Sequence, residues 1–211
     1  MNIIAKQSGN VVQDTKKYII DTARQFFSEY SYLGVSMNDI AKKLNITKAA
    51  LYYHFTGKVE IYEKVLDDVF DDLNLTITQA LNDSAIDKKL HKLIKNYLDF
   101  GFKEKNLIKA LMLKLSPTES QITKHITQLR EQIANLIQPV IEEISVNKKL
   151  TKKVDSRLLT SMLTSMMDGL LLEYSFLNKK INSAKVSDQI IAVLFQRSRA
   201  DPPPGSNKLI N

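Results

Sequence analysis

The chain has 211 residues, of which 44% are hydrophobic and 25% are charged, with only 6 Gly and 5 Pro. This composition excludes collagen-like, low-complexity and largely disordered proteins and predicts a globular protein with a substantial core. The formal net charge of +7 favours an anionic partner. Because the chain has no Cys and only 3 His, disulfides, thiolate zinc sites and thiol nucleophiles are excluded, and imidazole ligands are scarce. We therefore expect no metal site and no cofactor.

The sequence also lacks the patterns of membrane and secreted proteins. No stretch of about 18 apolar residues is free of Lys, Asp or Glu, and the N-terminus has no apolar secretory segment. We expect a cytoplasmic protein without a membrane partner.

Apolar residues recur at three- and four-residue intervals along almost the whole chain, while strand-like alternation is nearly absent. The pattern predicts an all-α protein. Helices are expected over 14–30, 37–44, 47–54, 58–84, 86–103, 105–115, 118–146, 156–178 and 185–198. Pro139 is expected to kink or split the helix over 118–146. The Pro-rich segment 199–211 is expected to be a disordered tail.

Two short helices near the N-terminus carry clear boundary signals. Ser36 can cap the first of them, and the Asp39 carboxylate can accept from the Ser36 amide to complete a capping box. Asn45 can adopt the left-handed conformation of a tight turn, and Thr47 can cap the second. The two helices and their turn form a helix-turn-helix, which is fixed by spaced apolar contacts from Ile40, Ala41, Leu44, Ile46 and Leu51.

The second helix of this motif leaves a set of residues outward that can enter a DNA major groove. They offer one cation, hydroxyls and a methyl group, and they are Thr47, Lys48, Ala49, Tyr52 and Tyr53. Lys58 places a cation at the positive end of the long helix that follows, which favours a bound anion such as a phosphate. The alternative is a structural three-helix unit whose polar residues are only solvated.

The segment 36–66, SMNDIAKKLNITKAALYYHFTGKVEIYEKVL, strongly resembles the DNA-binding domain of the TetR family of bacterial transcriptional regulators. The string LYYHF at 51–55 is its most telling part, and an Ala-x-x-Phe-Phe pattern at 23–27 and a Tyr-Leu-Gly turn at 32–34 precede it as in that family. The chain departs from the family at Asn45, where Gly is frequent, but Asn tolerates the same turn. The resemblance implies recognition positions at Thr47, Lys48, Ala49, Tyr52 and Tyr53, phosphate approach by Met37 and Lys58, and support of the helix end by His54.

The same resemblance implies the organisation of the whole chain. Residues 10–57 would form the helix-turn-helix DNA-binding domain, and residues 58–198 a larger helical bundle for effector binding and dimerisation, joined to it by the long helix. The implied protein is a homodimeric repressor that leaves a palindromic double-stranded DNA operator when a small-molecule inducer binds. The resemblance names no ligand, but the Met residues of the bundle favour a hydrophobic one. The alternatives are a DNA-binding protein without a small-molecule effector and, from another class, a helical enzyme.

The helix over 158–177 is apolar nearly all round. This indicates that one of its faces makes an apolar contact in addition to those that an ordinary amphipathic helix makes with the core. Together with the last helix it can form a four-helix dimer interface across a two-fold axis. The alternative is burial within one protomer. The residues expected at the interface are Leu163, Met167, Leu170, Leu171, Ile191, Leu194 and Phe195.

An effector pocket is expected from aromatic and Met residues on facing helices, since these side chains line adaptable apolar cavities. The candidates are Tyr97, Phe100, Met112, Met162, Met166 and Tyr174. For each of them the alternative is ordinary core packing. His91, His125 and the acidic run over 67–72 lack metal-ligand spacing across more than one element, and we expect them to lie on solvated helix faces.

Overall fold

The computed structural model describes residues 4–82, 85–108, 120–147 and 155–194, and every regular element within these ranges is a helix. The helices are α1 (Ile4–Tyr30), α2 (Met37–Lys43), α3 (Lys48–His54), α4 (Lys58–Leu81), α5 (Ile86–Lys103), α6 (Ser120–Asn147), α7 (Ser156–Phe176) and α8 (Ser183–Leu194). The predicted all-α class is confirmed. Among the described helices, none is both long and apolar enough to span a membrane.

The largest difference from the predicted boundaries is at the N-terminus. Helix α1 begins at Ile4, well before the predicted start at Asp14. Gly9 and Asn10 favour a break there, but each costs a helix only about 1 kcal/mol or less, so the helix continues through them. Residues 105–108 are helical, while the rest of the predicted helix over 105–115, with Met112, lies outside the described residues. Phe195 and the tail over 199–211 lie outside them as well.

Pro139 does not split the seventh predicted helix. Helix α6 runs from Ser120 to Asn147 with Pro139 inside it. Proline removes one backbone donor, but Ile137, Val140 and Ile141 around it are all buried and hold this part of the helix in the core. Packing of the apolar stripe therefore outweighs the local preference to break.

Within the described ranges, the buried apolar residues form two hydrophobic cores, and α4 takes part in both. The first core joins α1, α2, α3 and the first half of α4, with Phe27, Ile40, Leu51 and Tyr62 fully or almost fully buried. Leu107, Ile122 and Leu129 extend this core to the later helices. Because Ala23 and Phe27 of α1 are both 0% exposed, α1 is fixed against the long helix.

The second core joins the second half of α4 to α5, α6, α7 and α8. Ile77, Leu93, Ile137 and Leu163 are each 0% exposed there. Helix α5 packs on α4 and α8, and α6 packs on α4 and α7. Phe70 and Phe100 contact both cores, so the two cores meet at the middle of α4.

Candidate functional site

Local hydrogen bonds fix the geometry of the helix-turn-helix as the sequence predicts. The Ser36 hydroxyl accepts from the Asp39 amide at 3.2 Å, and the Asp39 carboxylate accepts from the Ser36 amide at 3.0 Å, which completes the capping box. Asn45 has a φ of 55°, in the left-handed region. Thr47 caps α3 by accepting from the Ala50 amide at 3.1 Å. These hydrogen bonds join residues that are close in sequence. The positions of α2 and α3 relative to each other are therefore set within the motif.

Leu51 anchors helix α3 in the core, while most other side chains of the helix are exposed or half-buried. Leu51 is 0% exposed, whereas Tyr53 is 79% exposed and Tyr52 46% exposed. Thr47, Lys48 and Ala49 are also exposed. The predicted recognition residues therefore form one accessible surface. Lys48 lies with its Nζ 5.8 Å from the centre of the Tyr52 ring, a cation–π contact that orders both side chains.

Met37 and Lys58, which are predicted to approach DNA phosphates, are less exposed than the predicted recognition residues of α3. Met37 is 7% exposed and packs in the first core, so its side chain does not reach outward. Lys58 is half-buried, and its Nζ donates to the Tyr32 carbonyl at 3.0 Å and lies 4.1 Å from the centre of the Tyr32 ring. Lys58 therefore ties the start of α4 to the turn after α1. A shallow groove of about 450 Å³ nevertheless brings Met37, Lys48, Tyr52 and Lys58 together along one surface.

His54 ends α3 and lies between the surface and the core. Its ring packs edge-on against the Tyr53 ring, with 5.1 Å between the ring centres. Its Nδ1 is buried with no hydrogen-bond partner among the described residues. The ring thus contacts the neighbouring recognition residue at the end of the helix.

A cavity of about 390 Å³ lies between α4, α5, α6 and α7. Its walls are mainly apolar, with a polar side formed by hydroxyls and charged groups from α6 and α7. The lining residues are Val69, Phe70, Leu73, Tyr97, Phe100, Gly101, Ile108, Ile126, Thr127, Arg130, Glu131, Ile133, Ala134, Ser161, Thr164, Ser165, Asp168 and Leu171. An apolar cavity with a few converging polar groups is the usual form of a small-molecule site.

Tyr97, Arg130 and Asp168 form a polar cluster in the wall of this cavity. Asp168 is only 8% exposed, and its carboxylate accepts a hydrogen bond from the Tyr97 hydroxyl at 2.6 Å and pairs with the Arg130 guanidinium. Burial raises the pKa of Tyr97 well above its usual value, and the neighbouring Asp168 charge adds to this effect, so the hydroxyl remains a donor. The side chain of Arg130 is 45% exposed, which leaves part of the guanidinium accessible. The sequence pattern missed Arg130 and Asp168, although an acid inside the nearly all-apolar helix α7 was an available signal.

The structure brings only part of the predicted pocket together. Tyr97 and Phe100 line the cavity. Met162 is 51% exposed and Met166 is 36% exposed on the outer side of α7, and Tyr174 is half-buried without lining the cavity. The pocket prediction is therefore corrected for these three residues: α7 turns other positions, such as Ser161, Thr164 and Asp168, towards the cavity.

The predicted interface residues also separate into two groups. Leu163, Met167 and Leu171 are at most 1% exposed and pack in the second core, so they cannot form an external interface. Leu170 and Ile191 are partly buried at the edge of that core, and the side chain of Leu194 lies outside the described residues. Exposed apolar side chains on α7 include Leu158, Met162, Met166 and Phe176, and Val193 on α8 is 69% exposed. The sequence of an apolar helix does not show which of its faces is buried within the protomer.

The two bundle histidines lie in helix–helix contacts and not on solvated faces. His125 on α6 has its Nε2 2.7 Å from Oδ1 of Asp67 on α4. His91 on α5 has its Nδ1 3.2 Å from both Ser187 and Asp188 of α8. Two acids of the run on α4 also pair with cations of another helix: Asp68 with Lys17 and Arg24, and Asp72 with Arg24, both cations lying on α1. In the part of the chain that the structure describes, these acids and histidines form no cluster suited to a metal ion.

Comparison with protein families accounts for both parts of the chain. Residues 19–65 match the model of bacterial regulatory proteins of the tetR family, and residues 62–197 match the C-terminal region of YsiA-like proteins. The chain belongs to the TetR family. It has the N-terminal helix-turn-helix and the C-terminal helical region of that family.

Among curated relatives, the chain is 36% identical over 111 residues to the negative transcriptional regulator IcaR of the biofilm operon icaADBC in Staphylococcus aureus. That match covers 53% of this chain and 59% of the relative, so the chain spans less than two thirds of the relative's length. The Staphylococcus epidermidis IcaR is 32% identical over 115 residues, covering 54% of this chain and 62% of that protein.

Solved structures of the family share the fold. The fatty acid degradation regulator FadR of Bacillus halodurans aligns with a TM-score of 0.75 at 18% identity, over 87% of this chain and 96% of that one. FadR of Bacillus subtilis in complex with stearoyl-CoA aligns with a TM-score of 0.73 at 17% identity, over 84% of this chain and 96% of that one. A Clostridium perfringens protein described as a fatty acid metabolism regulator has 27% identity and a TM-score of 0.65, over 83% of this chain and 96% of that one.

Proposed function

We propose that this TetR-family protein is a homodimeric repressor that reads a palindromic operator with α3 and is released from it by an apolar small molecule. The observation that carries the proposal is the exposed surface of α3, where Lys48, Tyr52 and Tyr53 project from a helix that Leu51 anchors in the core. In helix-turn-helix dimers, two such helices enter successive major grooves about 34–36 Å apart. Residues 10–57 are proposed as the DNA-binding domain and residues 58–198 as the effector and dimerisation domain.

Within α3, Thr47, Lys48, Ala49, Tyr52 and Tyr53 are the proposed base- and phosphate-contacting positions. Hydroxyls can bond base edges or phosphate, the Ala methyl can contact a thymine methyl, and the Lys cation can neutralise phosphate. Lys58 and the first-turn backbone at Met37 line the same groove and are proposed to approach the DNA backbone. His54 is proposed to support the position of Tyr53.

The proposed dimer interface is the outward apolar face of α7 together with α8. Leu158 is 57% exposed, Met162 51% and Val193 69%, and large apolar side chains exposed on these two helices favour association with a second copy. Gly169 adds a position where nothing within 4 Å would meet a Cβ, which permits close approach of a partner helix. Leu170 and Ile191 at the edge of the second core extend this face.

The proposed effector site is the cavity behind α4. Its apolar walls suit a hydrocarbon chain, and Arg130, which Asp168 orients, offers a cation to an acidic or acceptor group of the ligand. The structurally similar FadR of Bacillus subtilis is described in complex with stearoyl-CoA, which supports an acyl thioester as a probe. An effector that binds one helix arrangement better than another shifts the population towards it and changes the spacing of the two α3 helices.

Selection from a random-sequence DNA pool tests the DNA-binding part of the proposal. We expect an enriched inverted repeat whose half-sites are about one helical turn apart, and binding that weakens steeply as salt rises. Salt-dependent binding without an enriched sequence would contradict operator recognition. Binding of the enriched site with and without stearoyl-CoA, with CoA alone as the control, tests the effector part: release by the acyl thioester only is the expected result.

Sedimentation of a charge variant tests the dimer. Met162→Glu places a charge in the proposed interface and is expected to give a monomer, because a charge buried without a partner is costly. Leu75→Glu is the matched control, since Leu75 is similarly exposed, at 59%, on α4. A Met162→Glu protein that remains dimeric would remove this face from the proposal.

A further inference from the structure

Arg24 of α1 connects three separate segments through one side chain. Its Nη1 donates to Asp68 at 2.6 Å and to Asp72 at 2.9 Å, both on α4, and its Nη2 donates to Glu104 at 2.8 Å, just after α5. The Arg24 side chain is 18% exposed and that of Glu104 is 11% exposed. The two arms of a rigid guanidinium are thus held by acids from different elements, so their spacing is fixed by α4 and the end of α5 together.

The acids that hold Arg24 are continuous with the wall of the cavity. Asp68 immediately precedes Val69 and Asp72 immediately precedes Leu73, and both apolar residues line the cavity. Glu104 lies one turn from two other lining residues, because its amide donates to the Phe100 carbonyl at 3.0 Å and its carbonyl accepts from the Ile108 amide at 3.0 Å. A change in the separation of α4 from this segment would therefore move the acids that Arg24 binds.

The other side of Arg24 leads towards the recognition helix. One turn further along α1, Phe27 is 0% exposed, and its ring centre lies 4.8 Å from that of Tyr62 and 6.1 Å from that of Tyr32. Helix α1 packs on α2, and α2 packs on α3. Because these contacts are close-packed, a shift of α1 is transmitted to α3 and not absorbed locally.

The charges of this cluster keep the connection intact. Burial lowers the pKa of Arg24, but the hydrogen bonds that Arg24 donates to Asp72, Glu104 and Asp68 raise it by more, so the net shift is upward and the cation persists. Lys17 also pairs with Asp68, at 2.5 Å, but its side chain is 57% exposed, and its ion pairs among the described residues are with Asp21 of α1 and Asp68 of α4. Lys17 therefore serves as a matched cation that does not contact the segment after α5.

We propose that Arg24 is the positioning residue that couples the effector cavity to the DNA-reading helices. Because Arg24 binds both α4 and Glu104, a change in the distance between them moves Arg24 and, with it, α1, α2 and α3. The inference rests on the proposed function for the identity of the two coupled sites. The coupling between Glu104 and α3 through Arg24 can itself be measured without ligand or DNA.

The first test measures coupling with the selected operator and stearoyl-CoA as the probe. Arg24→Met is expected to reduce the probe-induced change in operator affinity by about fivefold or more, while probe affinity for the DNA-free protein stays within about twofold. Lys17→Met is expected to retain the wild-type change. Arg24→Lys keeps the charge but not the two-armed geometry, so it is expected to behave as Arg24→Met. Wild-type coupling in Arg24→Met would overturn the proposal.

The second test uses amide hydrogen exchange of the free protein. Glu104→Gln is expected to raise exchange in the segment over 37–54 by at least about threefold, because local opening is more frequent when α1 is less well held. Arg24→Met should give the same increase, and the double variant no more than either single one. Lys17→Met should leave that segment unchanged, and cooperative unfolding of every variant confirms that each is folded.

The two tests separate the possible failures. If the wild-type protein enriches no DNA sequence or does not bind the probe, the proposed function fails, and hydrogen exchange alone decides the role of Arg24. If Glu104→Gln alters exchange only in α5 and leaves 37–54 as in the wild type, the coupling proposal is wrong even when operator and probe both bind.

Discussion

The helix-turn-helix unit (residues 14–57) and the helical bundle (residues 58–193) differ in how closely their side chains follow the sequence pattern. In the helix-turn-helix unit, the caps at Ser36 and Thr47 and the turn at Asn45 lie where the sequence places them, and the outward residues of α3 are exposed. In the bundle, Met162 and Met166 lie outward and Leu163 and Met167 inward, the reverse of the predicted arrangement. Short-range hydrogen bonds specify orientation, whereas an all-apolar helix leaves it to its neighbours.

Phe27→Ala should show the largest effect and tests whether the two regions are energetically separate. Phe27 is 0% exposed, and truncating a buried Phe costs about 3–5 kcal/mol of unfolding free energy. Chemical denaturation is expected to show one transition shifted to lower denaturant, because α4 belongs to both cores. Tyr18→Ala, at a side chain 62% exposed on the same helix, is the control and should change stability by about 0.5 kcal/mol or less. Two separate transitions in the Phe27 variant would show that the regions unfold independently.

Arg130→Met tests the polar cluster that the sequence pattern did not find. The change leaves the Asp168 carboxylate with the Tyr97 hydroxyl as its hydrogen-bond donor among the described residues. We expect a loss of about 1–2 kcal/mol of unfolding free energy, since Arg130 is itself nearly half exposed. Binding of stearoyl-CoA should weaken in parallel. Arg157→Met, at an exposed Arg in the first turn of α7, is the matched control for both measurements. Unchanged stability and probe binding would remove Arg130 from the proposed effector site.

Lys48→Ala tests the exposed surface of α3 that the sequence pattern predicts to contact DNA. We expect operator affinity to fall about tenfold. The slope of log affinity against log salt concentration should become less steep by about one, as for the loss of one phosphate contact. The unfolding free energy should hardly change because Lys48 is exposed. Lys95→Ala removes the same charge on α5, where Lys95 pairs with Asp99, and should leave operator binding at the wild-type level. Equal losses in the two variants would indicate a general charge effect in place of a specific contact.

Acid titration should show the smallest effect and tests the contact between the two regions. Burial raises the pKa of Asp68, but hydrogen bonds from Lys17 and Arg24 lower it more, so the pKa lies below its usual value. The resulting stabilisation is present above the unfolded-state pKa of about 3.9 and is lost as pH falls through the folded-state value. Unfolding free energy should therefore fall below about pH 4 more gently in Asp68→Asn than in the wild type. Asp71→Asn, which removes an exposed acid of α4, is the control, and identical slopes in the two variants would contradict a contribution from the Arg24 cluster.

The sequence by itself determined the helical class, most helix boundaries, the helix-turn-helix and the residues that α3 exposes. These features depend on caps, a left-handed turn and apolar spacing, all of which act over a few residues. Pro139 shows the limit of such signals, because packing of α6 overrides its local preference.

Only the tertiary structure decided which face of α7 is covered, that Asp168 meets Tyr97 and Arg130, and that Lys58 contacts the turn at Tyr32. The same holds for Arg24 and Glu104, whose contact spans 80 positions of sequence. Spacing along a chain predicts neighbours within a helix, but contacts between distant helices depend on how their surfaces pack together, which no local pattern specifies.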